Sequence, residues 1–389
     1  MSEHRLEVAD VFRTYEKEFL AKWGHVIGAH RRKAFEAIRD CRTAALGGHV
    51  EYVEQCDTCG HQVISYNSCR NRHCPKCQAM ARAKWLTERE AELLPVPYFH
   101  VVFTLPAALR ALCVHAPRAM YSALFSAASE TLLDLARDRW GATPGVTMVL
   151  HTWTRELLLH PHVHALVTGG GLALDASHWV ARVKYLFPVE MMGEVFRGKM
   201  LETLRDLHAL GAFEDFGSFE DPEAFEQLVT RAAKQPWVVY AKKPFRRPEH
   251  VLKYLGRYTH RVGISNSRLL DVTDTAVTFS TKNGKQITLD PVEFLRRFVL
   301  HVLPERFKKV RHYGLYASVP TLLQVAREHL EAVVPKPAPC SKEKVRATWN
   351  ELTWEEQYFW LTGRQLRLCP VCGGTTERRS VARAPPRAA

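Results

Sequence analysis

Hydrophobic and polar positions change period several times along the chain, and those changes predict its elements. Val8, Phe12, Tyr15, Phe19 and Leu20 recur at helical spacing, so residues from about 8 to 48 read as helical. A further helix is expected over Ala79–Leu94, stopped by Pro95 and Pro97. Tyr98–Leu105 then alternates and is rich in β-branched and aromatic residues, which predicts a strand ended by Pro106. One or two amphipathic helices follow over 107–139, and a strand over Val146–Thr154. The stretch His160-Pro161-His162-Val163-His164-Ala165-Leu166-Val167 is the next strand, and Gly169-Gly170-Gly171 ends it. Beyond a segment over Trp179–Val189, a helix is expected from about Glu190 to Leu210, and an acidic surface insertion over Phe213–Phe225. Trp237–Ala241 reads as a short buried strand, and Glu249–Tyr258 as a helix with Pro248 in its first turn. Leu269–Val272, Ala276–Ser280 and Lys285–Leu289 form a β-meander, and Val292–Leu300 a helix. This alternation predicts an α+β fold with a mainly antiparallel sheet and packed helices.

The strand period selects the first candidate chemistry. Residues two apart share a face, so His162 and His164 project together while Val163 points into a core. Two imidazoles on one rigid face are a ready metal clamp, and imidazole suits several divalent transition metals; Mg²⁺ or Mn²⁺ is the ion expected there. His100 on the neighbouring predicted strand is a further ligand candidate, set against an ordinary satisfied strand histidine. In the helix over Glu249–Tyr258, His250, Tyr254 and Tyr258 lie four apart and share one face. Aromatic packing is the plain alternative for the two tyrosines.

The chain has 389 residues, enough for two or three domains. Its net charge of +13 favours a polyanionic partner. Placement sharpens this. Lys242, Lys243, Arg246, Arg247, Lys253, Arg257 and Arg261 face one acid, Glu249, across a single window. Basic and aromatic residues mix over Arg306–Tyr316, a composition suited to single-stranded nucleic acid. No run is apolar and long enough for a membrane span, and the N-terminus lacks a signal-peptide core, so a cytoplasmic, nucleoid-associated protein is expected.

Ten cysteines in such a compartment point away from disulfides, and six of them form C-x-x-C pairs. Cys56 and Cys59 make one knuckle and Cys74 and Cys77 a second. Together they are expected to close a structural zinc site, with Cys69 and His73 as possible replacements. Arg70 and Arg72 make this module basic and suited to contacting DNA. Cys369 and Cys372 form a third knuckle, whose completion would need Cys340 or a distant His. The expected domains are a helical and zinc-binding module over 1–95, a catalytic domain over 96–335, and over 336–389 a Pro-rich linker, the last knuckle and a disordered basic tail.

A metal clamp, two tyrosines on one helix face and a basic surface make one chemistry sensible. It is cleavage and rejoining of single-stranded DNA through a phosphotyrosine. A phenolate at pH 7 costs about 4 kcal/mol, so the barrier must be lowered elsewhere. Four stretches carry a resemblance: CRNRHCPKC over 69–77, YFHVVFTLP over 98–106, HPHVHALVTGGG over 160–171 and YLGRYTHRVGIS over 254–265. They resemble the rolling-circle transposases of the insertion sequence 91 family, within the HUH endonucleases. The resemblance implies a ferredoxin- or RRM-like nuclease core, His162 and His164 as the metal pair, and Tyr254 and Tyr258 as nucleophiles. It also implies Gln at the position of His250, which leaves the third ligand open. A replication initiator or relaxase would use the same chemistry. A zinc-dependent DNA-binding regulator without catalysis is the reading from another class. A zinc hydrolase is disfavoured because the His motif has no neighbouring Glu to act as base.

Overall fold

The computed structural model of the protein describes residues 6–77, 85–86, 89, 92–214, 217, 220–245, 263–317, 320–333, 352–353, 356, 359, 368–369 and 371–380. In chain order its helices are α1 (Val8–Thr14), α2 (Glu16–Trp23), α3 (Ala29–Arg39), α4 (Arg110–His115), α5 (Pro117–Trp140), α6 (Val189–Ala209), α7 (Pro222–Lys234), α8 (Pro291–Leu300) and α9 (Pro320–Val333). The first strands are β1 (Gly48–Cys56), β2 (Gln62–Tyr66), β3 (Tyr98–Thr104), β4 (Ala142–Thr143), β5 (Gly145–Trp153), β6 (Leu159–Thr168) and β7 (Gly170–Ala173). The later ones are β8 (Trp179–Ala181), β9 (Val239–Phe245), β10 (Leu269–Val272), β11 (Val277–Ser280), β12 (Gln286–Leu289), β13 (Val310–Gly314) and β14 (Thr376–Ser380). The fold is α+β, and every strand pairing among the described residues is antiparallel. No described helix is long and apolar enough to cross a membrane.

Two compact units divide the chain. One comprises 1–87, 260–302 and 341–389; the other comprises 88–259 and 303–340. This corrects the expected linear division in two places. The meander and α8 leave the catalytic stretch for the N-terminal unit, and the C-terminal segment is a strand partner within that unit rather than an appendage. The physical reason is burial. The Phe12 ring lies 4.6 Å from Phe35 and meets Phe298 of α8 edge-on at 5.1 Å, so α8 helps to close the core begun by α1 and α3. In the same way β1 obtains backbone partners on both edges, from β2 and from β14.

The second unit is built on a five-stranded sheet of order β13-β5-β6-β3-β9. One face is the core. Val101, Phe103, Val163, Ala165, Val167, Met148 and Leu150 are fully buried there with α5 and α6 residues such as Phe125, Leu132 and Phe196. The length of α5 follows from its ends. Pro117 opens it, where a missing N–H costs nothing, and Gly141 closes it in the left-handed region at φ 62°. The glycine run after β6 does more than stop a strand. A Cβ on Gly170 would lie 2.3 Å from the Val180 carbonyl oxygen, so only glycine lets β7 pair this closely with β8.

Burial sharpens two surface expectations: the described acids Glu214, Glu220, Asp221 and Glu223 are exposed as expected, but the rings that flank them are not. Phe213 and Phe225 are buried and their rings stack 5.6 Å apart, so the acidic stretch is pinned to the core at both ends. Asp221 caps α7 by accepting from the Glu223 and Ala224 amides, which gives part of that acidity a local use. Likewise Phe307 of the basic-aromatic stretch is core, and the Arg311 guanidinium lies 4.9 Å above its ring. It is therefore not available for a base to stack on.

Candidate metal centres and active site

The face of the five-stranded sheet opposite the apolar core collects imidazoles. Cross-strand pairing fixes this: His162 lies opposite Thr104 and His151, and His164 opposite Val102 and Val149. Directly paired residues share a face, so β5 and β6 together present His151, His162 and His164. One ligand nitrogen from each of these three lies within 4.8 Å of the others. Val163, between the pair, is fully buried on the opposite face.

Hydrogen bonds orient the rings. His162 Nδ1 lies 2.7 Å from the His160 carbonyl oxygen, which can only accept; Nδ1 therefore carries the proton and Nε2 keeps its lone pair. His164 Nδ1 meets His100 Nε2 at 2.9 Å, which orients the His164 ring. His100 thus supports His164 rather than completing the metal set. The His151 ring stacks on Trp153 at 5.0 Å, and the Lys309 ammonium lies 5.0 Å from that indole.

Electrostatics keep these rings neutral. Burial lowers His162 to about 4. Burial, then the charges of His162, His100, Lys309 and Lys242, lowers His164 to about 2. Burial and the Lys242 charge lower His100 to about 3. A neutral imidazole is the ligating form, so the site is prepared for a cation at neutral pH. Three nitrogen donors fit a catalytic metal, which keeps a further position for substrate, better than a closed four-ligand structural one.

Lys242 lies opposite His100 and Tyr240 opposite Val102, so β9 extends the imidazole face with an exposed cation and an exposed ring. Lys243 is the next residue of that strand. Arg246, Arg247, His250, Lys253, Tyr254, Arg257, Tyr258 and Arg261 lie outside the described residues. His151 was missed because a lone His in a β-branched strand carries no local signal. The only clue is strand pairing, which places it beside His162.

The thiols divide differently from the expected single site. Cys74 and Cys77 gather with Cys41 and Cys69, whereas Cys56 and Cys59 gather with Cys369 and Cys372. The expected grouping of Cys56 and Cys59 with Cys74 and Cys77 is therefore corrected. Each C-x-x-C turn supplies two thiols, and the tertiary fold chooses which other two they meet. In the first cluster the Cys77 sulfur is 3.5 Å from Cys41 and 3.6 Å from Cys69. Zn–S bonds of about 2.3 Å in a tetrahedron put sulfurs about 3.8 Å apart, so these four fit structural zinc. The Cys69 amide approaches the Cys41 sulfur at 3.5 Å and the Asn71 amide the Cys69 sulfur at 3.4 Å, as thiolates require. His73 is turned to Asn71, its Nδ1 at 3.1 Å from the amide oxygen, and lies outside the thiol group. Arg70 is exposed, while burial lowers the pKa of the Arg72 guanidinium.

Known proteins account for both regions. A family described as "Putative transposase" matches residues 145–322, which include β5 and β6. Another, described as "Transposase zinc-binding domain", matches residues 11–105. The "Transposase for insertion sequence element IS801" of Pseudomonas savastanoi pv. phaseolicola is 30% identical over 337 residues, 82% of this chain and 79% of that protein. The chain belongs to the insertion sequence 91 family of transposases. The "Putative transposase y4qJ" of Sinorhizobium fredii is also similar, at 44% identity over 380 residues, 94% of this chain and 92% of that protein. No solved structure matches this transposase. The zinc-binding match encloses Cys41, Cys69, Cys74 and Cys77 and ends far before Cys369.

Proposed function

We propose that this transposase cleaves and rejoins single-stranded ends of a mobile DNA element through a 5′-phosphotyrosine, as in rolling-circle transposition. The observation that carries the reading is the convergence of His151, His162 and His164 on the face of the sheet opposite the apolar core. A divalent ion such as Mg²⁺ or Mn²⁺, when bound there, supplies Lewis-acid polarisation of the scissile phosphate.

The chain's own residues divide the remaining work. The three imidazoles would hold the ion, and His100, 2.9 Å from His164 Nδ1, orients that ring. Lys242 and Lys309 bias the same face toward phosphate, as their effect on His164 indicates. Tyr240, 53% exposed and on that face, offers a ring on which an unpaired base can stack. Tyr254 or Tyr258 is the nucleophile. Its phenol gives up a proton, its oxygen bonds phosphorus, and the bond to the 3′-oxygen breaks. The 3′-oxygen takes up a proton and leaves as a free hydroxyl, so the phosphodiester energy is kept in the tyrosyl link. Reversal by another 3′-hydroxyl rejoins strands without a nucleotide cofactor. A second tyrosine permits a second cut while the first link persists.

The test is to incubate the protein with element-end oligonucleotides and Mg²⁺ or Mn²⁺ and to look for a covalent adduct after denaturation. An adduct that depends on the metal and disappears in the double variant Tyr254→Phe, Tyr258→Phe is expected. No adduct with any end, or an adduct that survives the double change, would remove this reading. Nicking at a plasmid origin without excision would assign the same chemistry to replication instead.

A further inference from the structure

The zinc-binding family match stops at residue 105, yet a second thiol cluster draws half its members from the far end of the chain. Cys56 Sγ lies 3.4 Å from Cys372 Sγ and Cys59 Sγ 3.6 Å from Cys369 Sγ, close to the sulfur spacing of a tetrahedral zinc site. These contacts span 316 and 310 residues of sequence.

The two knuckles are built alike. Gly60 follows Cys59 at φ 69°, and Gly373 follows Cys372 at φ 74°. The Gly60 amide donates to the Cys56 carbonyl at 3.0 Å, and the Gly373 amide donates to the Cys369 carbonyl at 3.0 Å. The Cys56 amide donates to His61, and the Cys369 amide to Gly374. Each turn therefore points two sulfurs the same way, and the turns face each other. They pack closely: a Cβ on Gly374 would lie 2.4 Å from Thr58 Oγ1. The backbone continues the match. The Asp57 amide donates to the Thr375 carbonyl, and β14 pairs with β1 from Cys56 opposite Thr376 to Tyr52 opposite Ser380.

We propose that Cys56, Cys59, Cys369 and Cys372 hold a second structural zinc, which locks the C-terminal segment into the N-terminal unit as a three-stranded ribbon. On binding, each of the four thiols gives up its proton and becomes a ligand; nothing is oxidised or reduced. The site is closed by four sulfurs, so its work is to hold the fold. A three-stranded ribbon whose strands come from distant parts of the sequence gains from a metal cross-link that joins them. The strand it secures carries Arg378 and Arg379 and leads directly into residues 381–389, which add Arg383 and Arg387.

The full-length protein, purified without chelator, tests this by native mass spectrometry. Two zinc ions per chain are expected, falling to one in the double variant Cys369→Ser, Cys372→Ser. A second measurement on the unaltered chain avoids any dependence on how that variant folds. Cys59 and Cys372 are exposed, so brief alkylation should spare them while zinc is bound and label them after chelation. One zinc per chain, rapid labelling of both cysteines before chelation, or a mass lowered by the hydrogens of a disulfide would each overturn the proposal.

Discussion

The thiol clusters and the imidazole cluster are candidate metal sites of opposite design. Each thiol cluster offers four like ligands from turns, surrounded by backbone amides, and has no open position. The imidazole cluster offers three ligands from two paired strands, one fewer than a closed four-ligand site. The first design needs the metal for the fold, because thiols from distant parts of the sequence are joined there by the ligand bonds. The second needs the fold for the metal, because a sheet already closed by Phe103, Leu132 and Phe196 holds the rings in place.

That contrast predicts effects of different kind and size. The largest belongs to the first thiol cluster. Cys69→Ser with Cys74→Ser should forfeit zinc binding worth about 10 kcal/mol and abolish the cooperative melting of the N-terminal unit, read by calorimetry. Retained melting would show that the thiols are not structural. His162→Ala should instead lower end cleavage about 10³-fold, several kcal/mol of transition-state stabilisation, with melting of the sheet unit nearly unchanged. Equal losses of activity and stability would erase the distinction. His100→Ala, which removes only an orienting partner, should weaken metal affinity on the order of 10- to 100-fold by calorimetric titration.

Acid should act next. His162 and His312 titrate near 4 in the folded, metal-free protein, both lowered by burial. Their unfolded value is about 6.5. Between these values the unfolded chain binds more protons, so stability present above about pH 6.5 should decline as pH falls toward 4. A denaturant midpoint that is flat across this window would contradict the buried, neutral state of these rings. The smallest effect is expected at Lys242, exposed on the imidazole face. Lys242→Ala should weaken single-strand binding less than 10-fold and reduce the salt slope by about 1.

Much of this was legible in advance. The alternation at His162-Val163-His164 gave one face to chemistry and the other to the core, because the side-chain period of a strand is a local property. The C-x-x-C spacings announced knuckles for the same reason. The role of His151 was not legible, since it depends on β5 pairing with β6 in the register that sets it opposite His162. Nor was Cys41, a lone thiol just beyond α3 that joins Cys69 only through the fold of the N-terminal unit. Phe225 and Phe307 read as surface because their neighbours are charged, yet both are buried.

By itself, then, the order of residues determined the periods, the caps and the ligand pairs, all of which rest on covalent geometry over a few positions. Tertiary structure alone decided that Cys56 and Cys59 meet Cys369 and Cys372 rather than Cys74 and Cys77. Such choices turn on which strand edges and apolar faces find partners across hundreds of residues, a matter of burial and backbone pairing that no local spacing encodes.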